Sequence, residues 1–400
     1  MSKSNPLKIF SLNRVIIPLI IGIGVALFLI IKDFSKPLIT EVALGKGNFY
    51  WVDDNGNKAK EISELYPATK DIQGNINIEH QKNILKHIAN NWTWSASLCL
   101  LVAMLFALLR GFMYMWRIRY LSDNKLSWKQ SFQIIALWEF SSAITPTVIG
   151  GSAVAFFTVS MEGIGIARST AIVMITFLMD ELFYIIIAPI TILIVGVNSA
   201  MIKDLDFKVL SYDFTLLGVF LIGYAVMCLI TIFVLIAIFL SPKSFKKFLY
   251  YLSEKKIFTK RKEKLRKLGD DIITTSLEFK HKPFFFWIKT YLITISSWIS
   301  RFLVVNFLIM AFTSVSNNLL VFARQLVMWI VLCVSPTPGG SGIAEFAFPI
   351  FLKEFIPLNM GAILSVLWRI FTYYPYIIIG FIVLPLWIKR IVKTKSSTDL

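Results

Sequence analysis

The sequence predicts an all-α polytopic membrane protein with about six full spans and two re-entrant broken-helix hairpins that form an inverted-topology repeat. Three observations point to this class. Of the 400 residues, 56% are hydrophobic and 16% are charged, which is too little charge to cover a soluble domain. Several apolar runs reach the length of about 20 residues that crosses a bilayer. Two further apolar runs are interrupted by proline and glycine, which break helices.

The predicted spans follow from apolar length. The first one is short, and Lys3, Lys8 and Arg14 precede it in a pattern that resembles the start of a signal peptide. No small-residue cleavage site follows, so we expect residues 1–31 to be retained as a signal-anchor span. Tryptophans at several span ends match the aromatic belts of membrane surfaces. The six predicted spans are residues 15–31, 92–116, 170–197, 213–240, 285–312 and 359–388.

The basic residues indicate how these spans are oriented. The loop 32–91 balances eight lysines with eight acids, so the net charge of +17 lies elsewhere. Since cytoplasmic loops collect Lys and Arg, we expect the basic segments to be cytoplasmic and the loop 32–91 to be an extracytoplasmic loop or cap. This predicts a multi-pass protein of the cytoplasmic membrane with both termini in the cytoplasm. The basic segments are residues 1–14, 117–130, 241–283 and 389–400.

The same division organises the chain into two halves. A first membrane half, residues 92–240, is joined to a second half, residues 285–390, by the basic cytoplasmic loop 241–284, and residues 391–400 form a cytoplasmic tail. The basic loop is open to two interpretations, an amphipathic helix on anionic lipid or a solvated run of charges. Nucleic-acid binding is not expected, because no reading motif accompanies the charge.

Two apolar stretches differ from ordinary spans. Residues 131–160 contain Ile144-Thr-Pro-Thr-Val-Ile-Gly-Gly-Ser152, and residues 319–356 contain Val334-Ser-Pro-Thr-Pro-Gly-Gly-Ser-Gly342. Counting orientations along the chain places both ends of the first stretch inside and both ends of the second outside. We therefore predict two re-entrant hairpins that enter from opposite faces. The predicted hairpin breaks are Pro146, Gly150, Gly151, Pro336, Pro338, Gly339, Gly340 and Gly342.

The two motifs also align with each other. An offset of 189 residues superimposes their Gly-Gly pairs and places Asp180 opposite Arg369. Matching motifs of opposite orientation are typical of an inverted-topology repeat, although two coincidental Pro-Gly kinks would look alike. Broken backbone at membrane depth must be buried in protein or line a wet cavity, and the amides at half-helix ends suit an anionic headgroup.

The run Ser335-Pro-Thr-Pro-Gly-Gly-Ser-Gly-Ile-Ala-Glu345 resembles a motif of the lysylphosphatidylglycerol synthase membrane-domain family, also called flippase-like. Val148-Ile-Gly-Gly-Ser152 is similar to that family's first motif, except that Ala153 stands where a basic residue often follows. The resemblance covers roughly residues 95–390. It implies movement or recognition of lipid. The family's soluble aminoacyl-transferase domain does not follow the membrane part here, so its transfer activity is not implied.

Ionisable residues within the apolar segments are the candidate functional residues, since each costs about 2.5–3.5 kcal/mol at mid-span unless it is paired. Arg110 and Lys289 lie near span ends and are expected to extend their charges to the membrane surface. The others are either ion pairs between helices, with Asp180–Arg369 the natural guess, or headgroup contacts and gating groups. The candidate substrate-binding or pathway residues are Arg301, Arg369, Glu345, Asp180, Glu139 and Arg324.

These observations favour an integral membrane lipid translocase that moves an anionic lipid or a lipid-linked intermediate between leaflets. Two alternatives stay open: a lipid-binding membrane enzyme or accessory subunit of lipid or glycan biosynthesis, and an ion-coupled transporter of a small solute. No catalytic residue, metal ligand set or cofactor motif is identified, and Ser341 lacks a nearby histidine to activate it. The expected partner is a membrane lipid, and the oligomeric state is undetermined by the sequence.

Overall fold

The structure, a computed structural model, describes most of the chain from Trp92 onward and short segments before it. The predicted signal-anchor span therefore lies outside the described residues, except for Phe28. Pro146, Pro336, Pro338 and Gly339 among the predicted breaks are also outside them. The described residues are 28, 38–41, 45–46, 48–50, 66–68, 76–79, 92–145, 148–202, 206–209, 212–255, 262–332, 337, 340–357 and 360–396.

Within these residues the protein is a helical bundle, which confirms the predicted all-α class. The helices are α1 Trp94–Leu121, α2 Trp128–Ile144, α3 Val148–Met161, α4 Ile166–Val195, the short α5 Val197–Ala200, α6 Leu216–Leu235 with a π-helical turn Ile236–Leu240, α7 Pro242–Glu254, α8 Lys262–Phe279, α9 Phe284–Met310, α10 Asn318–Leu332, α11 Ile343–Phe351 with a 3-10 turn Lys353–Phe355, α12 Gly361–Thr372 and α13 Tyr374–Ser396.

Five stretches among the described residues are long and apolar enough to cross a membrane, and they match the last five predicted spans. They are Trp94–Leu121, Arg168–Val195, Leu216–Leu240, Phe284–Met310 and Gly361–Lys393. The largest apolar core lies where α4, α6, α9, α10, α11 and α12 meet, and it is rich in aromatic side chains. The remaining surface of these helices is apolar, as expected of helices that face lipid.

Short strands lie in the segments outside this bundle. Strands β1 Leu38–Glu41, β2 Phe49–Tyr50, β3 Tyr66–Pro67 and β4 Ile76–Glu79 form an antiparallel sheet in the order β1-β4-β2-β3. Strands β5 Asp206–Val209 and β6 Tyr212–Thr215 form a hairpin that leads directly into α6. The loop 32–91 thus contains a small sheet that its sequence did not predict.

Each of the two predicted hairpin stretches is a helix, a break and a second helix. Helices α2 and α3 pack closely, and α2 ends at Ile144 before α3 begins at Val148. The predicted break at Gly150 and Gly151 is wrong, because both glycines lie in the first turn of α3. A Cβ atom on Gly151 would lie 1.9 Å from Ser142 Oγ, so this glycine serves close packing of α2 on α3. Insertion from opposite membrane faces stays a prediction.

The second stretch breaks between α10 and α11, and here two of the predicted glycines do form the break. Gly340 and Gly342 have φ angles of +68° and +84°, in the left-handed region that disfavours other residues. Gly342 ends the break directly before α11 begins.

The last predicted span is not one continuous helix. Tyr373 adopts a non-helical conformation (φ −127°, ψ −58°) between α12 and α13. Pro375 follows two residues later and has no amide hydrogen to donate to the carbonyl of Phe371, so helical hydrogen bonding is interrupted at the bend where α12 meets α13.

Hydrogen bonds to one carboxylate hold helix α13 against the beginning and the end of the first hairpin. Glu162, which follows α3 and is almost fully buried, accepts hydrogen bonds from Trp387 Nε1 at 2.7 Å and from Arg390 Nη1 at 2.9 Å. Gln130 Nε2 near the start of α2 donates to the same carboxylate at 2.8 Å. This buried carboxylate thereby unites α2, α3 and α13.

We expect Gly380→Ala to lower the free energy of unfolding by about 1–3 kcal/mol, because the new methyl group would overpack the contact between α13 and α2. A Cβ atom at this position would lie 2.3 Å from Phe140 Cβ, which cannot move away without its backbone. The measurement is thermal unfolding of the purified protein in detergent. Gly111→Ala is the matched control, since its nearest neighbour would be Tyr376 OH at 3.9 Å, and an equal loss in both variants would contradict the prediction.

Candidate functional site

The breaks in the helices meet at the side chain of Tyr373. The Tyr373 hydroxyl donates a hydrogen bond to the carbonyl of Ala143, at the end of α2, at 3.0 Å. Since its only hydrogen is used there, it accepts from Ser341 Oγ, in the second break, at 2.8 Å. Tyr373 itself occupies the bend between α12 and α13. One hydroxyl group therefore joins the two hairpins and the bend of the last span, and we call these three residues the break junction.

The Glu345 side chain closes the second break. Glu345 is fully buried in the first turn of α11, and its Oε2 accepts a hydrogen bond from the amide of Gly342 at 2.7 Å. Arg369 of α12 lies against the same carboxylate, with Nε 3.0 Å from Oε1 and Nη2 3.2 Å from Oε2. Arg369 Nη2 also donates to the carbonyl of Gly340 at 3.2 Å. Glu345 therefore caps the start of α11, and Arg369 neutralises its charge.

The expected pairing of Asp180 with Arg369 is wrong. Asp180 of α4 binds Arg117 of α1 in a bidentate pair, at 2.5 and 3.0 Å, and also accepts from Trp298 Nε1 at 2.8 Å. Arg117 was assigned to a cytoplasmic loop because the predicted span ended at residue 116, whereas α1 continues to Leu121.

Arg110 also departs from the prediction, because it does not extend to the membrane surface. Its side chain is buried and donates to Glu139 Oε1 at 2.8 Å and to the hydroxyl of Tyr376 at 2.6 Å. Its guanidinium lies over the rings of Tyr114 and Tyr376, at 4.7 and 5.2 Å from their centroids. Glu139 is therefore paired with Arg110, whose charge was expected at the membrane surface.

Arg301 of α9 differs from these arginines in its contacts. Its guanidinium lies 4.1 Å from the centroid of the Trp329 ring and 5.5 Å from that of Trp298. It is partly buried, and within the described part of the chain it has no hydrogen-bond or ion-pair partner. Stacking on an aromatic face is favourable for arginine, but it leaves the N–H groups at the edge of the fork available for an acceptor.

These groups are close enough to act on one another electrostatically. Arg301 interacts with Arg110 and Glu139, and Tyr114 interacts with both of those residues and with Arg117 and Asp180. Three arginines thus lie near Glu139 and Asp180, and Glu181, next to Asp180 in the chain, adds a third carboxylate to this region. We call this group the central cluster; its members are Arg110, Tyr114, Arg117, Glu139, Asp180, Arg301 and Tyr376.

Arg324 lies apart from the central cluster. It donates through Nε to the carbonyl of Ser199 at 2.9 Å and through Nη2 to Glu354 Oε1 at 3.0 Å. A longer bond of 3.4 Å reaches the carbonyl of Phe351. These contacts fasten α10 to α5 and to the turn after α11, so the structure explains Arg324 as a connecting residue. Among the described residues no group of three or more His, Cys, Asp or Glu side chains is arranged to hold a metal ion.

The fold and these buried charges define a polytopic membrane protein in which interrupted helices surround a polar centre. The chain belongs to the family of the lysylphosphatidylglycerol synthase TM region, whose model matches residues 74–380. It is 28% identical over 312 residues to a UPF0104 membrane protein of Archaeoglobus fulgidus, a match that covers 74% of this chain and 90% of that protein. No solved structure matches the chain. The family resemblance of the two glycine motifs is therefore confirmed.

We expect Glu345→Ala to destabilise the protein by about 3–5 kcal/mol, because it would leave Arg369 buried without its counter-charge. The measurement is the free energy of unfolding in detergent. Lys353→Ala, an exposed change shortly after α11, is the control and should stay within about 0.5 kcal/mol. Equal stability of Glu345→Ala and the unmodified protein would refute the assigned pair.

A double-mutant cycle distinguishes the two possible partners of Asp180. Asp180→Asn and Arg117→Gln should show a coupling energy of about 0.5–3 kcal/mol, as expected for residues in direct contact. Asp180→Asn and Arg369→Gln should be additive within about 0.5 kcal/mol. Coupling to Arg369 in place of Arg117 would restore the pairing that the repeat suggested.

Proposed function

We propose that this protein is a lipid translocase that moves an anionic lipid, or a lipid-linked intermediate with an anionic group, between the leaflets of the cytoplasmic membrane. Membership of the lysylphosphatidylglycerol synthase TM region family supports a role connected with membrane lipid. In this proposal both termini and the basic helices α7 and α8 are cytoplasmic, as the distribution of Lys and Arg favours.

The observation that carries the proposal is the guanidinium of Arg301, which has no hydrogen-bond or ion-pair partner among the residues that the structure describes. An arginine within a membrane segment is costly without a counter-charge, and neighbouring arginines Arg110 and Arg117 each have one. Within the central cluster, Arg301 is the arginine to which no carboxylate is bound directly among the described residues. A phosphodiester carries one negative charge and offers two oxygens to the arginine fork, so a phospholipid headgroup matches Arg301 in both charge and geometry.

The two hairpins give this site a rigid frame. Tyr373 connects their breaks by hydrogen bonds, and the hydroxyl of Tyr376, about one turn further on, accepts a hydrogen bond from Arg110. Arg369 was expected to contact the headgroup, but its guanidinium is bound to Glu345 and Gly340. We therefore assign headgroup contact to Arg301 and give Glu345 and Arg369 the role of holding the second break.

The test is movement of a fluorescent anionic phospholipid in reconstituted vesicles, followed by chemical bleaching of the outer leaflet. The unmodified protein should accelerate the exchange between leaflets without ATP. Arg301→Gln should slow it at least about tenfold, because hydrogen bonds to charged groups contribute about 1.5–3 kcal/mol. The change of Arg301 removes the charge while keeping a side chain of similar length.

Lys289→Gln is the matched control, since Lys289 lies on the same helix, is exposed, and has its ammonium near the rings of Trp116 and Tyr120 with no ion pair to a described residue. We expect it to alter the rate less than twofold, in line with the small effect of exposed charges. Movement at the unmodified rate in Arg301→Gln would contradict the site. Headgroup modification without movement between leaflets would instead favour the enzymatic alternative.

A further inference from the structure

Helices α7 and α8 form a pair that the proposed transport site does not use. Helix α7 begins two residues after Leu240, the last residue of a membrane-crossing stretch, so it lies directly beside the bilayer. Its inner face packs through Phe245 and Leu249 against Ile272 of α8. Phe245 also contacts Phe233 of α6 edge-to-face at 4.6 Å, which fixes α7 to the end of that span.

Two acidic side chains of this pair form ion pairs that connect the two helices. Asp270 binds Lys246 at 2.6 Å, and Glu254 binds Lys262 at 2.9 Å and Arg266 at 2.5 Å. The hydrogen bonds from Lys262 and Arg266 hold the pKa of Glu254 below its ordinary value. Glu254 is the only acid of α7, so the helix has no other negative charge to offset its outward lysines.

The outward face of α7 is basic and aromatic. Lys243, Lys247 and Lys255 are exposed, together with Phe248 and Tyr251, whose exposed fractions are 46% and 60%. At 100° per residue the four positions within α7 fall within about 140° of the helix circumference, and Lys255 follows directly after the helix. Lys243 and Lys247 have no ion-pair partner among the described residues, and the Lys255 ammonium lies 4.5 Å from the centroid of the Tyr251 ring. Lysines beside exposed aromatic rings are typical of helices that lie on a membrane surface.

We propose that this outward face of α7 binds the anionic lipid surface next to the end of α6. The lysines provide charge complementary to the lipid phosphates, and Phe248 and Tyr251 enter the headgroup region. The site is separate from the central cluster, so it holds a cytoplasmic element against the leaflet whether or not the protein moves lipid. The position of α7, directly after a membrane-crossing stretch, favours the lipid surface over an acidic protein partner.

An environment-sensitive fluorophore on Ser244→Cys tests this contact, in a background where Cys99, Cys228 and Cys333 are replaced by serine. Ser244 is exposed on the same face and leaves all five contact residues in place. In nanodiscs that contain phosphatidylglycerol, the emission should shift to shorter wavelength and become quenchable by a lipid-bound quencher. Nanodiscs of phosphatidylcholine alone should give a smaller shift. Glu263→Cys, an exposed position on α8, is the labelling control and should respond equally in both lipids.

Replacing lysines of α7 tests whether the contact depends on these particular charges or on a general attraction of the protein to anionic lipid. Each lysine near an anionic surface changes the ratio of bound to free helix about fivefold, so Lys243→Gln with Lys247→Gln should reduce it about 25-fold and abolish the lipid-dependent shift. Lys280→Gln, an exposed lysine at the end of α8, should leave the shift intact. The same emission in both lipids, or a shift that survives the double replacement, would overturn the proposal. Since no transport is measured, this result is independent of the proposed function.

Discussion

Hydrocarbon offers no hydrogen bond to an amide or carbonyl group and no counter-ion to a charge. This constraint determines which residues meet at the centre of the molecule. Three interruptions of helical structure would each leave polar groups exposed to lipid if they lay apart. They lie together, and Tyr373 bonds Ser341 on one side and the carbonyl of Ala143 on the other. Glu345 and Arg369 complete the arrangement by capping α11 and by neutralising each other. The breaks are tolerated because a polar group at one break forms a hydrogen bond with a polar group at another.

The same constraint explains how the charges are distributed. Arg110 and Arg117 are nearly fully buried and each binds a carboxylate from another helix, which fixes α1 to α2 and to α4. Arg301 is held by an aromatic ring instead of a carboxylate. A protein that needed Arg301 only for packing would gain from an acid beside it, because a buried unpaired charge is unfavourable. The open coordination of Arg301 is therefore consistent with a site whose counter-ion comes from outside the chain.

Much of this arrangement could be predicted from the sequence, and the failures have physical causes. Apolar length identified the spans, and Pro-Gly motifs identified two of the three interruptions. The partner of Asp180 was missed because Arg117 lies one residue beyond the predicted end of its span, whereas the helix continues to Leu121. Gly151 was taken for a break because glycine permits both a turn and a close helix contact, and only the position of Ser142 decides between them. The bend at Tyr373 had one signal, Pro375, which a hydropathy window overlooks.

The Glu162 contacts bear on how the protein is made. This carboxylate ends the first hairpin, yet its partners Trp387 and Arg390 follow 225 and 228 residues later. Until α13 has been made, the Glu162 carboxylate lacks these two partners, although Gln130 is already present. The packing of the first hairpin around this carboxylate is therefore completed only when the last helix of the chain is in place.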